Sequence, residues 1–254
     1  MLKLYKGDLL LFTNSGFKPA SEISNNDQLL VLNKDGSLAF DEIEEITKTF
    51  KKKYKLNKMD GYLLNDNIEL YSLKNIPLNI EMNEICEYLD NYHKNCIGST
   101  KIGELSTFDY YGFPTVADSN NDEIDNQNQE CNLDMSMTDL FGLNKKQLTT
   151  FYESLTEDNK EIIVGNNETS KFRIIKYLCL LLGTNPSFQW KEGGMLSIKI
   201  PKKINKSYYN YCNYNNFIWT KIRNIKKVPN YTGNLFYIKT KSGRPYLSDI
   251  GLIS

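Results

Sequence analysis

Residues 7–43 read GDLLLFTNSGFKPASEISNNDQLLVLNKDGSLAFDEI, and residues 221–254 read KIRNIKKVPNYTGNLFYIKTKSGRPYLSDIGLIS. Both stretches carry short apolar runs punctuated by turn residues, the pattern of a framework of many small strands. Leu9 to Phe12 stops at Asn14-Ser15-Gly16. Gln28 to Leu32 runs into Asn33-Lys34-Asp35-Gly36, where Asp-Gly tolerates the positive φ of a tight hairpin. Ile43 to Phe50 predicts a third strand, with Lys51-Lys52-Lys53 as its solvated continuation, and Tyr62–Leu64 and Ile68–Leu73 predict two more. The β pattern returns from Ile218. Leu235 to Thr240 alternates, and Lys241-Ser242-Gly243-Arg244 turns into a last strand.

The middle of the chain has another character. Asn83 to Leu89 predicts a short helix. Residues 117–130, ADSNNDEIDNQNQE, are acidic, rich in amides and almost free of large apolar side chains, the composition of a linker. Leu143 to Leu155 and Ser170 to Leu182 carry apolar residues at helical spacing, and Gly183 stands where a helix would stop. Met195 to Ile200 alternates as a strand up to Pro201. An α/β unit is therefore expected inside a β framework.

Composition bounds the function. At 254 residues the chain can bury one large core or two modest ones. A hydrophobic content of 40% with 24% charge is that of a globular protein, and the formal net charge of zero excludes a global pull toward nucleic acid or an acidic membrane. No apolar run approaches the roughly 20 residues that span a bilayer, so no membrane partner is expected. The N-terminus lacks a small-residue cleavage site, so no signal peptide is expected. The five cysteines, Cys86, Cys96, Cys131, Cys179 and Cys212, are odd in number and form no CxxC pair. That pattern argues against a disulfide framework or a zinc site and for a reducing compartment: cytoplasm, nucleus or virus-associated. Richness in Asn, Lys, Ile and Tyr points to an AT-rich genome such as that of a protist or large virus.

The two chain ends, taken together, resemble the opening and closing blocks of an intein, the Hint fold shared with hedgehog autoprocessing domains. An intein begins with a Cys or Ser nucleophile about three residues before a Gly-Asp pair. Here the pair is Gly7-Asp8 and the nucleophile position falls on Leu4, which has no atom able to attack a carbonyl. The next block, Thr-x-x-His, polarises and protonates the scissile amide. It resembles GYLLNDNIELYSLKN, with Asn65 at the Thr position and Ile68 at the His position. Inteins close on His-Asn. This chain closes on Asp249-Ile250-Gly251-Leu252-Ile253-Ser254: either Ile253-Ser254 replaces His-Asn or the chain stops short of it. The lone histidine, His93, lies outside these blocks and reads as a surface or loop residue.

Many inteins carry a LAGLIDADG homing endonuclease between their splicing halves. Residues 145–162, KKQLTTFYESLTEDNKEI, resemble its motif helix, and ETSKFRIIKYLCLLLGTNPSF resembles a later helix. The motif's acid, which holds Mg²⁺, falls on Asn159, a much poorer ligand for a hard cation; Glu157 and Asp158 would bind Mg²⁺ only in a shifted register. A first LAGLIDADG helix is missing. Lys145, Lys146, Lys171, Arg173 and Lys176, with Lys199, Lys202, Lys203 and Lys206 beside the adjoining strand, offer phosphate contacts to double-stranded DNA, although acidic residues share the segment. The tyrosine-rich SYYNYCNYNNF, residues 207–217, reads as a domain seam or a stacking surface. GxSxG, the P-loop, HExxH and a glycine-rich dinucleotide turn are all absent.

The expectation is thus a mainly β, Hint-like horseshoe domain formed by both chain ends, residues 1–116 and 207–254. A linker (117–131) leads to an inserted α/β, LAGLIDADG-like domain (132–206). The expected function is a non-splicing intein descendant that binds an unidentified protein partner or serves structurally, without a cofactor. The alternative is a homing-type endonuclease or DNA-binding protein using Mg²⁺. Residual autoprocessing through Ser254 or a cysteine ranks last, because no His completes the acid–base work.

Overall fold

A computed structural model describes residues 3–34, 37–77, 80, 84–115, 131–156, 161–165, 168–201, 207–208 and 211–254, with backbone only at 93–95, 169, 207 and 208. Several sequence expectations lie outside these residues. They are the Asp35-Gly36 turn, the start of the 83–89 helix, most of the linker, residues Glu157, Asp158 and Asn159, and Lys202, Lys203 and Lys206.

The chain passes through β1 (Tyr5–Lys6), β2 (Leu10–Thr13), β3 (Gly16–Pro19), β4 (Gln28–Leu32), β5 (Leu38–Met59), β6 (Tyr62–Leu64), β7 (Glu69–Leu73), α1 (Ile85–Cys96), β8 (Ile97–Lys101) and β9 (Tyr110–Pro114). Then come α2 (Met137–Gly142), α3 (Lys145–Thr156), β10 (Ile162–Val164), α4 (Thr169–Leu181), β11 (Ser187–Trp190), β12 (Leu196–Lys199), β13 (Ser207–Tyr208) and β14 (Tyr211–Tyr214). It ends through β15 (Phe217–Lys221), β16 (Ile225–Thr240), β17 (Tyr246–Ser248) and β18 (Gly251–Ile253). Two compact units result: Met1–Phe113 with Trp219–Ser254, and Pro114–Ile218. No helix among the described residues is long and apolar enough to cross a membrane.

The first unit is a large antiparallel β structure. Its strands run in the order β9-β7-β18-β17-β2-β4-β5-β16-β1-β6, with β3 on β2 and β8 on β7, and β6 returns to β5. Strands β17 and β18, from the end of the chain, thus lie between β7 and β2, from its beginning. The core gathers Leu9, Leu11, Leu29, Leu70, Ile238 and Ile253 from both ends of the chain. Each fully buried aliphatic side chain contributes roughly 1.5–3 kcal/mol of burial free energy.

Strand β5 runs from Leu38 to Met59, beyond the expected 43–50 segment and its 51–53 continuation at both ends. It pairs with β16 from Ile225↔Met59 to Thr240↔Ile43, with Lys51 opposite Gly233 and Lys52 and Lys53 at a register shift. Lys53 adopts φ 50 where the register shifts. Strand β5 turns into β6 at Asp60-Gly61, with φ 44 and 107, the two positive values of a type I′ hairpin turn.

The second unit holds α2 to α4 and a three-stranded antiparallel sheet ordered β10-β12-β11. The helix expected over 143–155 is α3, which starts two residues later, and a separate helix, α2, precedes it. Leu143 is extended at φ −73, ψ 140. The Asn144 side chain then accepts from the Gln147 N–H at 2.9 Å while Gln147 accepts from the Asn144 N–H at 3.0 Å. This reciprocal cap starts α3. Ser136 and Asp139 cap α2 in the same way. Gly183 follows α4 at φ 73, and its N–H bonds the Leu180 carbonyl.

Candidate functional site

The residues singled out at the start, middle and end of the first unit converge. Strand β1 lies between β16 and β6, with Tyr5 opposite Phe236 and Leu64. Just before it, the Leu4 carbonyl accepts the Asn65 N–H at 2.8 Å. The Glu69 N–H donates to the Ser254 carbonyl at 3.0 Å, and the Ser254 N–H returns the bond at 2.9 Å. Ile253 lies opposite Leu70. Leu4, Asn65, Ile68, Ile253 and Ser254 therefore belong to one neighbourhood, drawn together by backbone ladders.

Their side chains make it chemically quiet. Leu4 is 2% exposed and packs with Leu56 and Leu235 under Tyr54, Tyr231 and Tyr237. Ile68 and Ile253, each 1% exposed, are core residues. Asn65 is buried and its side-chain oxygen accepts the Asn67 N–H at 3.3 Å, while its carbonyl accepts the Ile68 N–H. This is an Asx turn, a structural use of a short polar side chain.

Two polar residues that carried no motif in the sequence meet here. The Lys3 ammonium donates to Glu69 Oε2 at 3.3 Å and to Ser254 Oγ at 3.5 Å, and Ser254 Oγ donates to Glu69 at 3.4 Å. The Lys3 and Glu69 side chains are each 33% exposed, so the pair is worth little in stability. An ammonium that donates to a hydroxyl does not take its proton. The acceptor of the Ser254 hydroxyl is the Glu69 carboxylate, which the ammonium already engages.

Beside this cluster lies a cavity of about 450 Å³ lined by Lys3, Tyr237, Lys239, Arg244, Tyr246 and Ser254, among others. That size suits a small ligand or a peptide side chain. Lys239 pairs with Glu44 at 2.5 Å, and the Arg244 guanidinium donates to the Asn33 amide oxygen. Tyr246 is held rigidly: its hydroxyl lies 3.1 Å from that of Tyr5 and donates to the Ile238 carbonyl at 3.2 Å. Burial first, then each other's proximity, pushes the Tyr5 hydroxyl well above its ordinary range. Burial does the same to Tyr246, so both stay neutral donors.

Glycines preserve the framework around the cluster. A Cβ on Gly7 would fall 2.6 Å from the Phe236 ring and 2.8 Å from Ser21 Cβ. One on Gly251 would fall 2.7 Å from the Gly112 carbonyl oxygen, at a backbone φ of 94. Gly7 and Gly251 are thus required by close packing, whatever the chemistry.

In the second unit, Lys145 and Lys146 begin α3, Lys171, Arg173 and Lys176 lie on α4, and Lys199 ends β12. Some are already engaged: Lys171 bonds Glu168 at 2.8 Å and approaches Asp134 at 3.7 Å, and Lys176 lies 5.0 Å over the Tyr177 ring. Among the described residues no group of three or more His, Cys, Asp or Glu side chains can hold a metal. The Mg²⁺ candidates Glu157 and Asp158 are outside those residues.

No family model matches the chain, and no curated protein matches it either. Among solved structures it is similar to a variant of the Ssp DnaB mini-intein, at a TM-score of 0.44 and 9% identity over 99% of this chain and 92% of that one.

Proposed function

We propose that this chain is a Hint-like protein of intein or homing-element descent that no longer splices and works by binding a partner polypeptide. In this reading the second unit is a degenerate, endonuclease-like insert. One observation carries the reading: residues 3–4, 65–69 and 253–254 meet through backbone hydrogen bonds, yet the side chains there are leucine, isoleucine, a turn-forming asparagine and an ion-paired lysine. A fold outlives its site in this way when packing is retained and chemistry is not.

The cavity beside that meeting point is the binding site in this proposal. Lys3, Lys239 and Arg244 line it, the first two paired with Glu69 and Glu44, and no Asp or Glu side chain is among the described lining residues. A polypeptide segment presenting an acidic side chain between apolar ones fits that lining, with Tyr237 as an aromatic wall. The test is fluorescence titration of the intact protein with labelled seven-residue peptides that differ only in a central Glu, Gln or Lys. The Glu peptide is expected to bind at least tenfold tighter than the Lys peptide, and Lys239→Gln with Arg244→Gln to erase the preference. Equal binding of all three peptides would refute the site.

A further inference from the structure

We infer that the ribbon formed by β5 and β16 binds double-stranded DNA through eight of its lysines, none of which lines the cavity or belongs to the second unit. Between Ile46 and Met59 on β5, and Ile225 and Ile238 on β16, there are eight lysines and no aspartate or glutamate. Among the described residues none of the eight is in a salt bridge; the two engaged lysines, Lys48 and Lys51, only approach the rings of Phe236 and Tyr54 at 5.9 Å. The acids within the two strands lie at the other end, where Glu42 and Glu44 pair with Lys241 and Lys239, while Asp60 at the near tip is bonded to the Asn224 N–H.

This arrangement costs stability. Lys226 lies directly opposite Lys58 in the ladder, and like charges facing each other across a strand pair destabilise it. Three consecutive lysines at 51–53 add to the repulsion. In a chain of zero net charge, such a concentration on one element marks a surface built for a polyanion.

The shape selects the polyanion. Lys48, Lys52, Lys53, Lys55, Lys226 and Lys227 are all exposed, so the charge spans both strands. Between the contacts of β6 at Asn57–Met59 and of β1 at Leu235–Phe236, β5 and β16 run as a bare two-stranded ribbon among the described residues. Two strands about 4.8 Å apart with their side chains fit the roughly 12 Å major groove of B-DNA. The deep, narrow major groove of an RNA duplex does not admit them. Phe50, 57% exposed and opposite exposed Asn234, supplies an apolar contact and an amide on the same ribbon. An amide reads adenine edges, and an apolar side chain reads thymine methyls.

The experiment is anisotropy titration of the whole protein into a labelled mixed-sequence 20-base-pair duplex from 50 to 200 mM KCl. Six phosphate contacts predict a slope of log K against log salt near −5 and a loss of about 1,000-fold across that range. Lys52→Gln, Lys53→Asn and Lys55→Gln together are expected to move the slope by about +2.7, from roughly 0.9 per contact. Asn is chosen at 53 because it accepts the positive φ there. Lys226→Gln with Lys227→Gln, on the other strand, is expected to move the slope by about +1.8, and Lys145→Gln with Lys146→Gln to leave it unchanged. Far-UV circular dichroism confirms that each variant is folded. The inference is overturned by failure to bind the duplex at 50 mM KCl or by an unchanged slope in both ribbon variants. It is equally overturned by a loss confined to the Lys145 and Lys146 variant, or by tighter binding to phosphatidylserine vesicles than to the duplex.

Discussion

Replacing Gly251 by alanine tests whether the end of the chain is locked into the body of the first unit. Two costs add. At φ 94 an L side chain is strained by about 1–2 kcal/mol. The new methyl would also meet the Gly112 carbonyl oxygen at 2.7 Å and the Tyr111 ring at 3.3 Å. The carbonyl belongs to the backbone of strand β9, so it cannot rotate away as a flexible side chain would. Overpacking of that kind costs about 1–3 kcal/mol. The sum, about 2–5 kcal/mol, lowers the melting midpoint by roughly 4–20 °C for a chain of this size. Gly243→Ala is the control: φ is 66, but nothing lies within 4 Å, so only the strain applies. Buried Trp219 reports unfolding of the first unit by fluorescence, with the 70% exposed Trp190 replaced by Phe. Equal midpoints for Gly251→Ala and Gly243→Ala would refute the close approach of β18 to Gly112.

Three further outcomes are expected. Burial pushes the Asp27 carboxyl up, but its bonds to Lys18 at 2.5 Å and to Ser24 outweigh burial and leave its pKa below the ordinary value. Its stabilisation is therefore complete above about pH 4, the unfolded carboxylate range, and is lost as pH falls through the lower folded value. Asp27→Asn should cost about 1.5–3 kcal/mol at pH 7 and flatten the acid limb of a urea-midpoint profile. Tyr246→Phe removes the donor to the Ile238 carbonyl and leaves Tyr5 without its partner hydroxyl, a loss of about 1–3 kcal/mol by urea denaturation. Asn144→Ala removes the cap of α3 and should lower the stability of the second unit by about 1 kcal/mol, read by hydrogen exchange at Leu148, with Asn144→Ser restoring most of it.

Local pattern carried much of the framework. Gln28 to Leu32 is a strand with the bounds its apolar run implied, and Tyr62–Leu64 likewise. The full length of β5 was not legible: the expected strand and its lysine continuation stop at Lys53, short of residues 54–59. They are held in a strand by β16, far away in sequence, and nonlocal pairing leaves no local signature. Strand β8, IGSTK, was missed for the same reason: it is fixed by its ladder with β7. The start of α3 after Leu143 is legible in the sequence, since Asn144-x-x-Gln147 is a capping pair. At the site, Leu4, Asn65 and Ile68 were singled out by a resemblance in spacing alone, and backbone hydrogen bonds bring them together. Lys3 and Glu69 belong to no motif, and their ion pair spans 66 positions.

The central claim is an intact framework stripped of catalytic side chains. Its most direct test places the chain between two reporter proteins and follows the fusion by intact mass, with and without a small thiol. The native chain should stay whole under both conditions. Leu4→Cys with Asn65→Thr and Ile68→His, which returns a nucleophile and an acid–base pair to the meeting point, should release the leading reporter in thiol. Cleavage by the native chain would contradict the account, and so would a folded triple variant that stays whole.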